Sequence, residues 1–99
     1  MSNFIPIERL RETNNTIAFH HPEPTYPVHI LIVPKRTIPT FMDITTMDAD
    51  LIMEIMQTAQ SLVEEFKLQE MGYRLIINGG KYQSLPQLHY HLVSESPIS

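Results

Sequence analysis

The sequence predicts an α+β fold, in which a mostly antiparallel sheet of about five strands carries one long helix. Two observations predict it. Short runs rich in β-branched residues are bounded by turn residues, and one longer segment repeats apolar residues at three-and-four spacing. The order of elements is β-β-β-α-β-β. Since the 99 residues contain no repeat, low-complexity stretch or linker, we expect a single domain over residues 1–99.

The first three strands precede the helix. An Asn-Asn pair separates Arg9–Glu12 from Thr16–His20, and because asparagine tolerates positive φ, the pair predicts a hairpin turn. Residues 21–27 include three prolines and should form a rigid loop. In Val28–Val33, apolar side chains occupy both odd and even positions and would therefore lie on both faces of a strand. This predicts a central strand covered on both faces.

The segment near 48–67 has the clearest pattern in the chain, that of an amphipathic helix. Residues 45–48 offer threonine and aspartate as N-caps, and Gly72 is a stop signal. Tyr73–Asn78 and Leu88–Ser94 read as the last two strands. The predicted core face of the helix consists of Leu51, Ile52, Ile55, Met56, Ala59, Leu62, Val63 and Phe66.

Composition narrows the range of functions. The net charge is −4 with only 7 Lys and Arg, which argues against nonspecific nucleic-acid binding but leaves a free nucleotide possible. The chain has no cysteine, so thiolate and disulfide chemistry are excluded. No signal-peptide pattern and no apolar run long enough for a bilayer are present. We therefore expect a cytoplasmic protein with no membrane partner.

Two histidines at spacing two are the strongest functional signal. In a strand, Gln87, His89 and His91 would lie on one face, with apolar residues on the other. Such a row supplies groups that can attack phosphorus, move protons or bind metal. A zinc site is an alternative interpretation, but it needs a third ligand from elsewhere, and the nearest acidic residue, Glu95, falls at the strand end. We expect no metal and no cofactor.

The chain resembles the histidine-triad (HIT) superfamily, and within it the Hint branch of nucleoside phosphoramidate hydrolases. The mark of the family is His-φ-His-φ-His-φ-φ on the last strand, and residues 87–93 fill this frame with glutamine in the first place. Residues 17–20, 29–35 and 72–84 are similar to other family segments, so the resemblance covers about residues 5–94. It implies a HIT-like fold and a homodimer in which two subunits form one continuous sheet.

The resemblance also implies catalytic roles. His89 matches the nucleophile that forms a nucleotidyl-histidine intermediate. His91 matches a histidine that holds the phosphate oxygens, and His29 would complete an imidazole network that keeps His89 in the right tautomer. Ser84 matches a serine that can pass a proton to a departing amine. Gln87 replaces the first histidine and cannot titrate near pH 7, so activity survives if this position only orients the nucleophile and falls if it must relay a proton.

The nucleotide-binding residues are implied in the same way. Phe19 matches an apolar wall of the base pocket, where a ring can stack on a purine. Asn78 and Gln83 would bring amide donors toward the phosphate or the leaving group. His21 stands where Hint proteins place an aspartate that binds the ribose hydroxyls, which leaves the identity of the substrate open. Segments that border the pocket in Hint proteins are missing or truncated here, so we expect a more open pocket.

The predicted function is that of a nucleotide hydrolase or nucleotidyl transferase. Its substrate would be a purine nucleotide conjugate: a nucleoside phosphoramidate, an adenylated amine or a dinucleoside polyphosphate. Two alternatives remain. One is a nucleotide-binding regulatory module with little turnover, favoured by the residues at the first motif position and at the ribose position. The other is a metal-binding protein that uses the same histidines.

Overall fold

The computed structural model describes residues 8–95, which contain one five-stranded antiparallel sheet and one long helix. The spatial order of the strands is β1-β2-β3-β5-β4. This confirms the predicted α+β class and element order. The strands are β1 (Arg9–Glu12), β2 (Thr16–His20), β3 (Val28–Pro34), β4 (Arg74–Ile77) and β5 (Tyr90–Ser94), and the helices are α1 (Ala49–Glu65) and the short α2 (Leu68–Met71).

The hydrophobic core lies between α1 and one face of the sheet. Directly paired residues of antiparallel strands point to the same face, so the pairing of Ile30 with Leu92 and of Ile32 with Tyr90 builds a continuous apolar surface. All four side chains are 0–1% exposed. From the helix, residues with the predicted spacing complete the core, namely Ile55, Ala59, Leu62 and Val63.

Local signals fix both ends of the helical region. Thr45 caps a short 3-10 turn, Thr46–Asp48, that leads into α1. The Thr45 hydroxyl accepts from the Met47 N–H, and the Asp48 carboxylate accepts from the Thr45 N–H. Gly72 ends α2 with φ +103°, a conformation that favours glycine. Among residues 8–95, no helix combines the length and hydropathy needed to cross a membrane.

The other face of the sheet is only half covered, which corrects one expectation. Leu31 and Val33 of β3 are half-buried, whereas Val28, Ile30 and Ile32 are fully buried. The described residues form one long helix, and it packs against only one face of β3. The predicted openness of the base pocket concerns terminal segments that lie outside the described residues.

The last two strands are shorter than predicted. β4 spans Arg74–Ile77 and β5 starts at Tyr90, because the Leu88 N–H is bonded to the Ile38 carbonyl (2.7 Å) instead of to a neighbouring strand. His89 therefore lies just before β5, and His91 lies within it. Both remain on the half-open face of the sheet, where the candidate site is found.

Candidate functional site

The backbone of the motif segment sets the tautomer of His89. Nδ1 of the half-buried His89 lies 2.7 Å from the carbonyl oxygen of Gln87. A carbonyl only accepts hydrogen bonds, so Nδ1 must carry the hydrogen in the neutral ring. The lone pair is then on Nε2, which is the form that an imidazole nucleophile requires.

A second chain of hydrogen bonds fixes His29 and His91. The backbone N–H of Thr25 donates to Nδ1 of His29 (3.2 Å), so the hydrogen of the neutral His29 ring is on Nε2. That Nε2–H donates to Nδ1 of His91 (2.9 Å), which places the remaining hydrogen of His91 on its Nε2. Among the described residues, His91 Nε2 is buried and has no hydrogen-bond partner. It is therefore a donor without an acceptor, as a site for an anionic oxygen needs.

Burial and mutual repulsion keep these rings neutral. Burial, followed by the positive charges that His89, His29 and His21 would carry, lowers the pKa of His91 to about 4. Burial, followed by the charge of His21, also lowers the pKa of His29. Both rings are thus neutral at pH 7, and the tautomers set by their hydrogen bonds govern what they donate and accept.

His21 extends the row of imidazoles to four. Its ring centroid lies 4.3 Å from that of His29 and 6.1 Å from that of His91, and the rings of His89 and His91 are 5.0 Å apart. The Glu23 N–H donates to Nδ1 of His21 (2.9 Å), so the neutral ring carries its hydrogen on Nε2.

Three of these rings lie close enough to share a metal ion. One nitrogen from each of His21, His29 and His91 is within 4.8 Å of the others. Ligation needs a lone pair on each of those nitrogens. The backbone N–H groups of Glu23 and Thr25 occupy the Nδ1 lone pairs of two rings and leave N–H donors on the Nε2 side. This hydrogen-bond pattern favours an anion over a metal cation.

Comparisons with known proteins identify the family of the chain. The family model described as "HIT domain" matches residues 3–98, nearly the whole chain. The chain belongs to the HIT domain family.

Relatives and solved structures of HIT proteins cover the chain almost fully. A HIT-like protein of Chlamydia pneumoniae is 37% identical over 100 residues, covering 99% of this chain and 90% of that protein. The purine nucleoside phosphoramidase of Escherichia coli K12 is 30% identical over 96 residues, covering 95% and 81%. The crystal structure of a HIT family hydrolase from Legionella pneumophila Philadelphia 1 has a TM-score of 0.87 and 34% identity, covering 96% and 87%.

In this HIT domain, the side chain of Gln87 binds a neighbouring loop and not the histidines. Nε2 donates to the carbonyls of Pro34 and Arg36 (both 2.9 Å), and Oε1 accepts from the Ile38 N–H (3.0 Å). The predicted polar row of three side chains is therefore wrong at its first position. Gln87 lies before β5, where strand alternation does not apply, and it reaches His89 only through its backbone carbonyl.

Replacing Gln87 by glutamate should lower the free energy of unfolding by about 2–3 kcal/mol, since two donors are lost and a carboxylate then faces two carbonyl oxygens. Urea unfolding of wild type and variant measures this difference. Gln57→Glu, the same change at an exposed position of α1, is the control and should stay within about 0.5 kcal/mol. Equal stability of the two variants would show that the hydrogen bonds of the Gln87 side chain to the neighbouring loop do not stabilise the fold.

Three other predicted residues, Gln83, Ser84 and Asn78, differ in their exposure and in their contacts. Gln83 donates through its amide to the carbonyls of Pro39 and Leu85 (both 2.7 Å), so the predicted donor is engaged within the loop region. Ser84 is exposed in that loop. Asn78 is half-buried and directly follows β4, whose last residue, Ile77, pairs with Tyr90.

Phe19 lies on the same sheet face as the histidines. It pairs with Leu31, which in turn pairs with His91, so the three side chains form a row across β2, β3 and β5. Phe19 and Leu31 are half-buried and leave an apolar surface beside the imidazoles. The role of Phe19 as a wall of a base pocket stays a prediction.

Sequence reasoning missed two functional contacts because they come from the backbone. The N–H groups of Glu23 and Thr25 set the tautomers of His21 and His29. The pattern of side chains in the sequence does not predict these backbone hydrogen bonds. The available signal was the proline-rich loop itself, since a stiff segment next to a histidine on a strand end can hold backbone donors in place.

The lowered pKa of His91 predicts a loss of stability in acid. Between pH 6.5 and about 4 the unfolded chain binds a proton at this residue and the folded chain does not, so stability falls as pH falls through this window. The full shift corresponds to ~3 kcal/mol. Because the ring is partly exposed to solvent screening, we expect about 1–2 kcal/mol. Urea unfolding at pH 7 and pH 4 should show this loss for wild type, and a smaller one for His91→Gln.

The exposed residue His20 provides the control for that measurement. His20→Gln also removes one imidazole but leaves the buried network in place, so its pH dependence should match that of wild type. If His91→Gln and wild type lose the same stability between pH 7 and pH 4, the burial of neutral His91 does not govern the acid response.

Proposed function

We propose that this HIT domain is a nucleotide hydrolase or nucleotidyl transferase that cleaves its substrate at the α-phosphate and uses His89 as the nucleophile. One observation carries the proposal. The hydrogen bond from His89 to the Gln87 carbonyl leaves a lone pair on Nε2, while the adjacent His91 offers a buried N–H without an acceptor. A nucleophile beside an unused donor fits an electrophile with anionic oxygens, which describes a phosphoryl group.

In the first step, His89 Nε2 would attack the α-phosphorus and form a P–N bond. The bond from phosphorus to the leaving group breaks, and its electron pair departs with the amine nitrogen or the phosphate oxygen. His91 Nε2–H would donate to a phosphoryl oxygen as negative charge develops there. The phosphorylated His89 ring is cationic, and its Nδ1–H bond to the Gln87 carbonyl would stabilise that charge.

In the second step, a water oxygen would attack phosphorus and the P–N bond breaks, returning the electron pair to His89. The amine that departs in the first step needs a proton, and we assign its delivery to the hydroxyl of Ser84. The water that attacks in the second step gives a proton back to Ser84. The sum is substrate plus water giving a nucleoside monophosphate and an amine. A dinucleoside polyphosphate would instead release a nucleoside phosphate, which departs as an anion.

Three features support a purine nucleotide conjugate as the substrate class. The relative from E. coli, 30% identical, is a purine nucleoside phosphoramidase. The row of Phe19 and Leu31 offers a flat apolar surface next to His91, on which a purine ring can stack. The exposed position of Ser84 allows an amine of varied size as the leaving group. Among the three predicted substrates, these features favour the nucleoside phosphoramidate and the adenylated amine.

The experiment that tests the proposal is trapping of the covalent intermediate. Wild-type protein is mixed with adenosine phosphoramidate, quenched and analysed by mass spectrometry, while AMP release is followed in parallel. We expect an adenylyl adduct on the peptide that contains His89, together with AMP release. Tight AMP binding without adduct or turnover would contradict the proposed enzyme and favour a nucleotide-binding regulatory module. The absence of any binding would overturn both interpretations.

We also propose that the chain forms a homodimer through β4, which is one of the two edge strands of the described sheet. Leu75 and Ile77 are on the core-facing side of β4, but each is 36% exposed because α1 does not cover them. Ile77 borders a groove of about 410 Å³ together with Phe41 and Met42, which are 52% and 83% exposed. An apolar groove beside an edge strand is typical of a surface that pairs with a second copy.

Replacing Ile77 by lysine should convert the dimer into a monomer, because a charge would be buried in the apolar contact. Size-exclusion chromatography with light scattering gives the mass, which we expect to be twice 11.5 kDa for wild type and 11.5 kDa for the variant. Met47→Lys is the control, since Met47 is 92% exposed and does not line that groove. A monomeric wild type would contradict the proposed dimer.

A further inference from the structure

His21 presents a hydrogen-bond donor and no acceptor to the site. The Glu23 N–H occupies the Nδ1 lone pair at 2.9 Å, and the remaining polar group of the neutral ring is Nε2–H. A ribose hydroxyl that faces this ring could accept from it but would find no acceptor on the ring for its own hydrogen. A phosphate oxygen, which only accepts, would leave no donor unpaired.

The sheet register places His21 next to the region that a bound sugar would occupy. The His21 N–H is bonded to the His29 carbonyl (2.8 Å), which continues the β2–β3 pairing and puts His21 on the same face as Phe19. Residues two apart on a strand are about 7 Å apart, and the His21 and His91 rings are 6.1 Å apart. A nucleotide with its base on Phe19 and its phosphorus at His91 would therefore turn the edge of its sugar toward His21.

The electrostatic surroundings also suit a second anion. The charges that lower the pKa of His91 all come from histidines, namely His89, His29 and His21. The carboxylate of Glu23, two residues beyond His21, is on an exposed side chain. The neutral Nε2–H of His21 can still favour an anion, because an N–H bond to an anionic oxygen is roughly twice as strong as a bond between neutral groups.

We propose that His21 is a specificity-determining residue that selects nucleotides carrying a second phosphate on the ribose, at the 2′ or 3′ oxygen. The proposal rests on the proposed function, because it takes the phosphate at His91 and the base at Phe19 as given. It narrows the substrate class from nucleotide conjugates in general to ribose-phosphorylated ones. The two possible positions share the same chemistry, and the test separates them.

The test is isothermal titration of the reaction product and its phosphorylated analogues. AMP, adenosine 2′,5′-bisphosphate and adenosine 3′,5′-bisphosphate are titrated into wild type and into His21→Asp. We expect one bisphosphate to bind wild type at least about tenfold more tightly than AMP, as one bond to a charged group allows. In His21→Asp the order should reverse, because a carboxylate repels the added phosphate and accepts from ribose hydroxyls.

His20→Asp is the matched control, since it adds the same charge one residue away on an exposed position of β2. It should retain the preference of wild type. The proposal is overturned if wild type binds AMP as tightly as both bisphosphates, or if His20→Asp and His21→Asp reduce the preference equally. Turnover of adenosine phosphoramidate without any bisphosphate preference would overturn this inference alone, whereas failure of every nucleotide to bind would overturn the proposed function as well.

Discussion

His89→Ala should abolish turnover while leaving the protein folded. Without the Nε2 lone pair no nucleotidyl intermediate can form, and loss of a nucleophile that acts together with its neighbours lowers kcat by about 10⁴-fold or more. His89 is half-buried and lies before β5, so little packing is lost. Steady-state release of AMP from adenosine phosphoramidate measures the effect, and intact-mass spectrometry should find no adduct.

The control for this variant is His20→Ala, which removes an exposed histidine of β2 and should retain wild-type turnover. Far-UV circular dichroism and the urea midpoint establish that both variants are folded. Substantial AMP release by folded His89→Ala would show that another group attacks the phosphorus and that the hydrogen bond to the Gln87 carbonyl serves a structural purpose.

His91→Ala should have the second largest effect, a decrease in kcat of about 10²–10³-fold, as expected for loss of one donor to a developing oxyanion. The adduct on His89 should still form, more slowly. His29 acts through His91 by holding its Nδ1 at 2.9 Å, so His29→Leu should cost less, about 10–10²-fold. Single-turnover kinetics on the three proteins gives the order.

The variant His29→Gln separates positioning from packing. A glutamine amide can donate to Nδ1 of His91 as the imidazole does, whereas leucine cannot. We therefore expect His29→Gln to recover most of the activity that His29→Leu loses. If the two variants are equally slow, or if His29→Leu is slower than His91→Ala, the assignment of His29 as a positioning residue fails.

Much of the fold could be predicted because its local signals agree with its packing. The Asn-Asn turn gave β1 and β2 with the bounds that the structure has, and the three-and-four spacing gave α1 to within two residues at its C-terminal end. β3 was predicted to be covered on both faces. Apolar composition alone does not report whether a second layer is available, so that prediction was wrong for Leu31 and Val33.

The candidate site was predictable in its side chains and not in its hydrogen bonds. The alternation of His89 and His91 with apolar residues indicated which face they share, and the resemblance added His29 from another strand. Which nitrogen of each ring carries the hydrogen depends on backbone groups of Gln87, Thr25 and Glu23. The amides of Gln87 and Gln83 were expected at the site, and the nearby carbonyls bind them instead.

In the first part of the loop between β2 and β3, residues 21–25, residues that have a backbone N–H alternate with prolines that lack one. Pro22 and Pro24 have none, while Glu23 and Thr25 each use theirs on an imidazole. Proline at position 23 or 25 would remove one of these donors, because it has no N–H. The Thr25 hydroxyl also lies 3.4 Å from Nδ1 of His29, so that position adds a side-chain contact to the main-chain bond. The protonation pattern of two rings of the site is thus set largely by the main chain of this short loop.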